Sequence, residues 1–284
     1  MNMLRIVTDG AVDLPAEWYQ EYDIHRIPIN VHFGEEKTFI QDEELSMDEF
    51  YKLVNSKTLP HPKTSQPSPH QFVEFYKKIA QPGDTILSIH ITSKLSGTYA
   101  SSVVAAGEVK GTYNVIPVDT FGGSMGTGFM CRTARQMERA GKSVDEIVRH
   151  LESIRSKVQI ILTLDTLEFA RRSGRVGTLS AALASVLNVK PIALLKDGMI
   201  EMVDKVRTRK AAFEKVLEMA KNTYGDQPVY IAVVHARDLA SGQALLEEAK
   251  KRFNVKDTVL TDLSISLAIN FGPGTVGLVL YPVE

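Results

Sequence analysis

TILSIHITSKLSGTYASSVVAAG, residues 85–107, decides the fold class. Residues 85–92 are rich in aliphatic and β-branched side chains with no proline among them, which predicts a strand. The small residues from Ser96-Gly97 onward predict a helix that begins where this strand ends. A strand that feeds a helix through a short turn is half of a βαβ unit, and the same alternation extends in both directions. Upstream, LRIVTDG (4–10) reads as a strand, followed by a helix for which Asp13 can cap and Pro15 suits the first turn. RIPINVHFG (26–34) and KTFIQD (37–42) read as short strands, and Ser46 with Glu49 forms a capping box opening a helix over 46–56. Residues 57–69 hold Pro60, Pro62, Pro67 and Pro69 and read as a polar loop stiffened by proline, after which Ser68 and Gln71 repeat the capping pattern. Downstream, YNVIPVDT (113–120) is a strand, a Gly-rich turn leads to a helix ending at Gly141, and Ser143 with Glu146 caps the next helix.

The second half changes character. VQIILTL (158–164), PIALLKDG (191–198) and MIEMVDKVRT (199–208) are strand-like, and Asp197-Gly198 predicts a hairpin turn. A helix (209–225), a strand (228–236), a helix (241–253) and two strand-like stretches complete the chain. The expectation is an α/β protein of two lobes. Residues 1–156 form an N-terminal lobe with a mainly parallel sheet, and 157–284 an α+β lobe with a mixed or antiparallel sheet.

Composition narrows the function. The 284 residues carry 33 Lys and Arg against 34 Asp and Glu, which excludes a broad basic field for nucleic acid. A single cysteine, Cys131, excludes a disulfide framework. No histidine spacing suits a metal, so no metal site is expected. No apolar run approaches the ~18 residues of a membrane helix, and no charged segment followed by an apolar stretch reads as a secretory signal. A soluble, cytoplasmic protein is expected.

Three groups of residues bear on chemistry. Gly122-Gly123-Ser124-Met125-Gly126 matches the G-x-S-x-G of a nucleophile elbow, with Asp197 or Asp226 and His235 available as triad partners for a serine esterase. The alternative is a Gly-rich turn in which Ser124 helps cap a helix. The second group is hydroxyl-rich: Thr64-Ser65-Gln66-Pro67-Ser68 in the proline loop, and Ser96-Gly97-Thr98-Tyr99 at a helix N-terminus. Were the loop to fold over the end of strand 85–92, Thr64 and Ser96 would both donate to one carboxylate, where bonds to an ionised acceptor are strong. Alternatively, both hydroxyls satisfy local backbone. The third group is basic: 171–175, with Arg171, Arg172 and Arg175, and 205–210, with Arg207 and Arg209. These runs suit an acidic partner surface or phosphate, or are solvated faces.

Taken in order, IVTDGAVDLP (6–15), TSQPSP (64–69), SGTYASS (96–102), VDTFGGSMGTG (118–128), LEFARRSGRVG (167–177) and GPGTVGLVLY (272–281) resemble the DegV family of bacterial fatty-acid-binding proteins, nearly end to end over about 3–283. The resemblance implies the two-lobed DegV fold, with a long-chain fatty acid such as palmitate in an apolar tunnel between the lobes. It implies lipid binding rather than catalysis, with no cofactor beyond the bound acid. It also implies a role in lipid transport or fatty acid metabolism, for some members as the non-catalytic subunit that presents the acid to an ATP-dependent fatty acid kinase. Thr64 and Ser96 match the positions that bond the carboxylate, and Ser124 falls in a turn. For a kinase partner, Arg172, Arg207 and Arg209 are the candidate contacts. Asn270 stands where the family often has histidine. Its amide can donate to a carboxylate, but it neither becomes a cation nor moves a proton at neutral pH, which puts participation in phosphoryl transfer in doubt.

Overall fold

The computed structural model describes residues 3–56, 58–175 and 189–283. It divides into two compact units, Met1–Ser153 with Ser264–Ser266, and Ile154–Leu263 with Leu267–Glu284.

In the first unit the elements run β1 (Leu4–Asp9), α1 (Ala16–Glu21), β2 (Ile24–Ile27), β3 (Asn30–Phe33), β4 (Lys37–Ile40), α2 (Met47–Ser56), β5 (Lys63–Ser65), α3 (Pro69–Ile79), β6 (Thr85–His90), α4 (Thr98–Glu108), β7 (Asn114–Asp119), α5 (Ser124–Arg139) and α6 (Val144–Ile154). Four strands form a parallel sheet in the order β2-β1-β6-β7. Helices α3 and α4 cover one face, where Phe72, Val73, Tyr76 and Ala105 pack on Val7, Ile27 and Ile86. The chain leaves β1 toward β2 on one side and later continues from β6 to β7 on the other. The order therefore reverses between β1 and β6, and ligands of open parallel sheets bind at the carboxyl ends of strands at such a point.

The helix starts follow their sequence signals. Ser68 Oγ accepts from Gln71 N at 3.2 Å while Gln71 Oε1 accepts from Ser68 N at 2.9 Å, with Pro69 in the first turn of α3. Ser46 and Glu49 make the same reciprocal pair before α2. Two local expectations differ. The proline loop contains a strand, β5, which joins β3 and β4 in an antiparallel sheet of order β4-β3-β5. Pro62 and Pro67 lie just outside β5 and leave its ladder amides intact. Asp13 does not cap α1, whose N-cap is Pro15 without a side-chain bond. The Asp13 carboxylate instead accepts from Ser124 Oγ at 2.5 Å and from Ser264 N at 2.6 Å.

The second unit contains β8 (Gln159–Thr163), α7 (Glu168–Ser173), β9 (Lys190–Lys196), β10 (Met199–Val206), α8 (Arg209–Tyr224), β11 (Pro228–His235), α9 (Leu239–Arg252), β12 (Asn254–Asp262), α10 (Ile265–Phe271), whose first two residues group with the first unit, and β13 (Val276–Pro282). Its sheet has six strands in the order β10-β9-β8-β13-β11-β12. Among the described strands, β11 and β12 pair in parallel and the other neighbours antiparallel. Asp197 and Gly198 turn the β9–β10 hairpin with φ of 49° and 80°, as the Asp-Gly pair predicts. Aliphatic side chains of α8 and α9, among them Val216, Leu217, Leu245 and Ala249, bury one sheet face against Ile161, Ile231, Val233 and Leu278. No helix of the described residues is long and apolar enough to cross a membrane.

Candidate head-group site

The carboxyl end of β6 sits in a lattice of buried polar groups. Asp9, at the end of β1, accepts from the amides of Ala11 at 2.9 Å and Ile91 at 3.1 Å. Its Oδ2 lies 3.0 Å from His90 Nδ1, and Asp9 and His90 are both fully buried. His90 Nε2 is 2.7 Å from Ser88 Oγ, which is 2.9 Å from the Tyr76 hydroxyl. An ionised carboxylate only accepts, so His90 Nδ1 donates to it. Burial holds the Tyr76 phenol well above its ordinary pKa, with the Ser88 bond opposing, so it stays a neutral hydroxyl. This chain ties β1 to β6 and fixes the turn that follows.

That turn carries Ser96 and Gly97. Ser96 is half-buried. Its Oγ lies 2.8 Å from Thr98 Oγ1 and accepts from Thr98 N at 3.3 Å. The hydroxyl thus caps α4 from one residue before the N-cap Gly97, which itself makes no side-chain cap.

Thr64 lies on β5 opposite Val31 of β3. Directly opposed residues share a sheet face. The Thr64 hydroxyl therefore projects on the side of Val31 and Phe33, both buried. Lys63, Ser65, His32 and Asn30 occupy the other side. There Ser65 Oγ is 2.8 Å from His32 Nε2, and His32 Nδ1 is 2.8 Å from Thr38 Oγ1. Thr64 is half-buried and has no side-chain hydrogen bond among the described residues.

Gln66 brings the two segments together. A Cβ built on Gly97 would stand 2.7 Å from Gln66 Nε2 and 3.1 Å from its Cδ, so the carboxamide rests directly on Gly97. Gly97 has φ −77°, which any residue adopts. The missing Cβ leaves room for the Gln66 carboxamide, whose flexible end would have to shift if a side chain stood there. The loop bearing Thr64 thus folds against the turn bearing Ser96. Sequence reasoning missed Gln66; the T-S-Q-P order held the signal, because a residue before proline is confined to extended backbone.

Ser124 has φ 51°, and its hydroxyl donates to Asp13, where a nucleophile elbow would present a histidine. Among the suggested triad partners, Asp197 is the hairpin residue, Asp226 pairs with Lys221 at 2.7 Å, and His235 stands 3.2 Å from Asp262. The bond from His235 holds the Asp262 carboxyl below its ordinary range. Cys131 is buried, and burial pushes its thiol up to about 12, which keeps it protonated and unreactive.

Asn270 belongs to the second unit, half-buried near the end of α10, a helix the sequence reading did not recognise. Gly272 ends that helix with φ 79°, and its amide donates to Ala268 O at 2.8 Å. Arg172 is half-exposed and pairs with Glu168 at 2.6 Å. Arg209 is tied down by Asp165 at 3.2 Å, Asp238 at 3.5 Å and the Gly274 carbonyl at 2.7 Å. Arg207 is exposed, with no ion pair among the described residues. Val176 and Gly177 of the 167–177 motif lie outside the described residues. Among the described residues no cluster of three His, Cys, Asp or Glu could hold a metal ion.

The family model described as "Uncharacterised protein, DegV family" matches residues 3–283. A DegV domain-containing protein of Streptomyces coelicolor is 33% identical over 277 residues, covering 97% of each chain. A Thermus thermophilus DegV family protein, described by its fatty acid binding, superposes with a TM-score of 0.90 at 30% identity, over 99% of this chain and 100% of the other. A DegV lipid binding protein of Thermotoga maritima gives 0.89 at 26% identity, over 99% of both chains. With the match running from the first strand to the last, the chain belongs to the DegV family.

Proposed function

We propose that this protein binds a long-chain fatty acid, such as palmitate, with its carboxylate held by the Thr64 and Ser96 hydroxyls. One observation carries the reading: the Gln66 carboxamide seated on Gly97 folds the Thr64 loop against the Ser96 turn. The turn lies at the carboxyl end of β6, where the strand order of the parallel sheet reverses. The fatty acid binding described for the Thermus thermophilus relative supports the same ligand class. Asn270 enters only through the family resemblance, as a further amide donor to the carboxylate.

Affinity in this reading comes mainly from the acyl chain. Burying ~14 methylenes at ~0.8 kcal/mol each gives an upper limit of about 11 kcal/mol. Association and ordering of the chain subtract several kcal/mol. The hydroxyls then set orientation and select an acid head group. No covalent step is needed, and Ser124 keeps its bond to Asp13.

The test is mass spectrometry of small molecules released by denaturing freshly purified protein, followed by titration of stripped protein with palmitate. A near-stoichiometric fatty acid, or saturable palmitate binding, is expected; neither result being obtained removes the reading. In the cell the bound acid serves lipid transport or fatty acid metabolism, offered to an ATP-dependent kinase that docks on the arginines. Arg207, exposed and without an ion pair among the described residues, is the strongest contact, ahead of Arg172 and the anchored Arg209. Arg207→Glu is expected to abolish co-purification of such a kinase. Capture indifferent to that change removes this surface.

A further inference from the structure

The head-group reading leaves a carboxylate short of donors. Its two oxygens offer about four acceptor positions. Thr64 supplies one hydroxyl, the Ser96 hydroxyl is shared with Thr98 at 2.8 Å, and Asn270, taken from the family resemblance, adds an amide. An acceptor position is still unmet, which is costly for a partly desolvated carboxylate, so a further donor is expected beside Thr64 and Ser96.

Gln66 occupies that position. Pro67 confines it to extended backbone, so Thr64 and Gln66, two residues apart, project to the same side of the segment leaving β5. Its carboxamide reaches across to Gly97, next to Ser96. Its two N–H donors have no hydrogen-bond partner among the described residues, and the side chain is exposed. Pro67 behind it is buried and anchors the loop.

Building on the head-group reading, we infer that Gln66 is a further ligand of the bound carboxylate and the residue that selects a free acid over a neutral lipid head. Gly97 is its seat. A side chain there would collide with the carboxamide and push the donor away from the carboxylate. The amide donates to an ionised head group more strongly than to an alcohol, and that difference is the selectivity.

The experiment titrates stripped protein with two probes of equal chain length, palmitate and hexadecanol. The parent is expected to prefer palmitate. Gln66→Ala should weaken palmitate about tenfold, in line with a hydrogen bond to a charged group, with hexadecanol unchanged. Gln66→Glu should weaken palmitate further by placing like charges together. Gly97→Ala should reproduce the Gln66→Ala result with Gln66 still in the chain. Hexadecanol binding reports that each variant retains its fold and acyl site. Unchanged palmitate affinity in both Gln66 variants, or equal losses for both probes, overturns the role of Gln66. A parent that binds neither probe instead overturns the head-group reading itself.

Discussion

The four-stranded and the six-stranded sheets are each held by different chemistry. The four-stranded parallel sheet ends in buried polar groups, with Asp9, His90, Ser88 and Tyr76 linked across strands. The six-stranded sheet rests on an aliphatic layer in which Ile161, Val233, Leu245 and Leu278 are fully buried. A hydrophobic layer specifies that strands pack but is tolerant of exchange among similar side chains. A buried polar chain is satisfied in one arrangement only and so holds a turn in place. The polar joint is therefore found in the unit whose turns carry the proposed ligand contacts.

Removing the joint should have the largest effect. Asp9→Ala leaves His90 and the amides of Ala11 and Ile91 without their acceptor in a dry interior. A loss of about 3–5 kcal/mol is expected in denaturant unfolding; a loss under about 1 kcal/mol would mean the chain is dispensable. In the other unit, Leu278→Ala tests the aliphatic layer through a cavity instead. Leu278 is fully buried, and about 3 kcal/mol is expected, the size depending on how far the site collapses.

Stability and binding come apart at the proposed site. Thr64 and Ser96 are only half-buried, so Thr64→Val with Ser96→Ala should leave unfolding nearly unchanged. Palmitate affinity should fall by about 3 kcal/mol, roughly a hundredfold or more, for two hydroxyl bonds to a carboxylate. A double variant that keeps parental affinity would relocate the head group.

The smallest effect lies at the surface. Glu146 accepts from Ser143 N and Ser143 Oγ, each at 2.8 Å, and these bonds hold its carboxyl at about 2 against an ordinary 4.5. A lowered folded-state pKa stabilises above the unfolded value and loses that contribution as pH falls toward the folded one. The parent should therefore exceed Glu146→Gln in melting temperature at pH 6, and the gap should close between about pH 4.5 and 2. A gap constant across that range would assign the difference to something other than this carboxylate.

Legibility of the sequence followed the range of the interaction. The capping pairs Ser46–Glu49 and Ser68–Gln71 and the Asp197-Gly198 turn were readable because their partners lie within a few residues. Asp13 misled: its spacing to Pro15 reads as a cap, yet its carboxylate serves Ser124 and Ser264, 111 and 251 residues away. The strand inside the proline loop and the short helix bearing Asn270 were hidden for the same reason. Three residues of β5 have no periodicity to detect, and only pairing with β3 makes them a strand.

For the proposed site, Thr64 and Ser96 stood out from composition and from the turn after a strand, and the motif order pointed to the family. Gln66 did not stand out, because its place before Pro67 marks extended backbone but not what its side chain rests on. Short-range patterns and motif order were enough to give the alternation of strands and helices, the mixed sheet of the second half, and the family. Tertiary structure alone decided that Gln66 rests on Gly97 and that Asp9 reaches His90 across 81 residues, because contacts at such separation depend on how strands are ordered in a sheet.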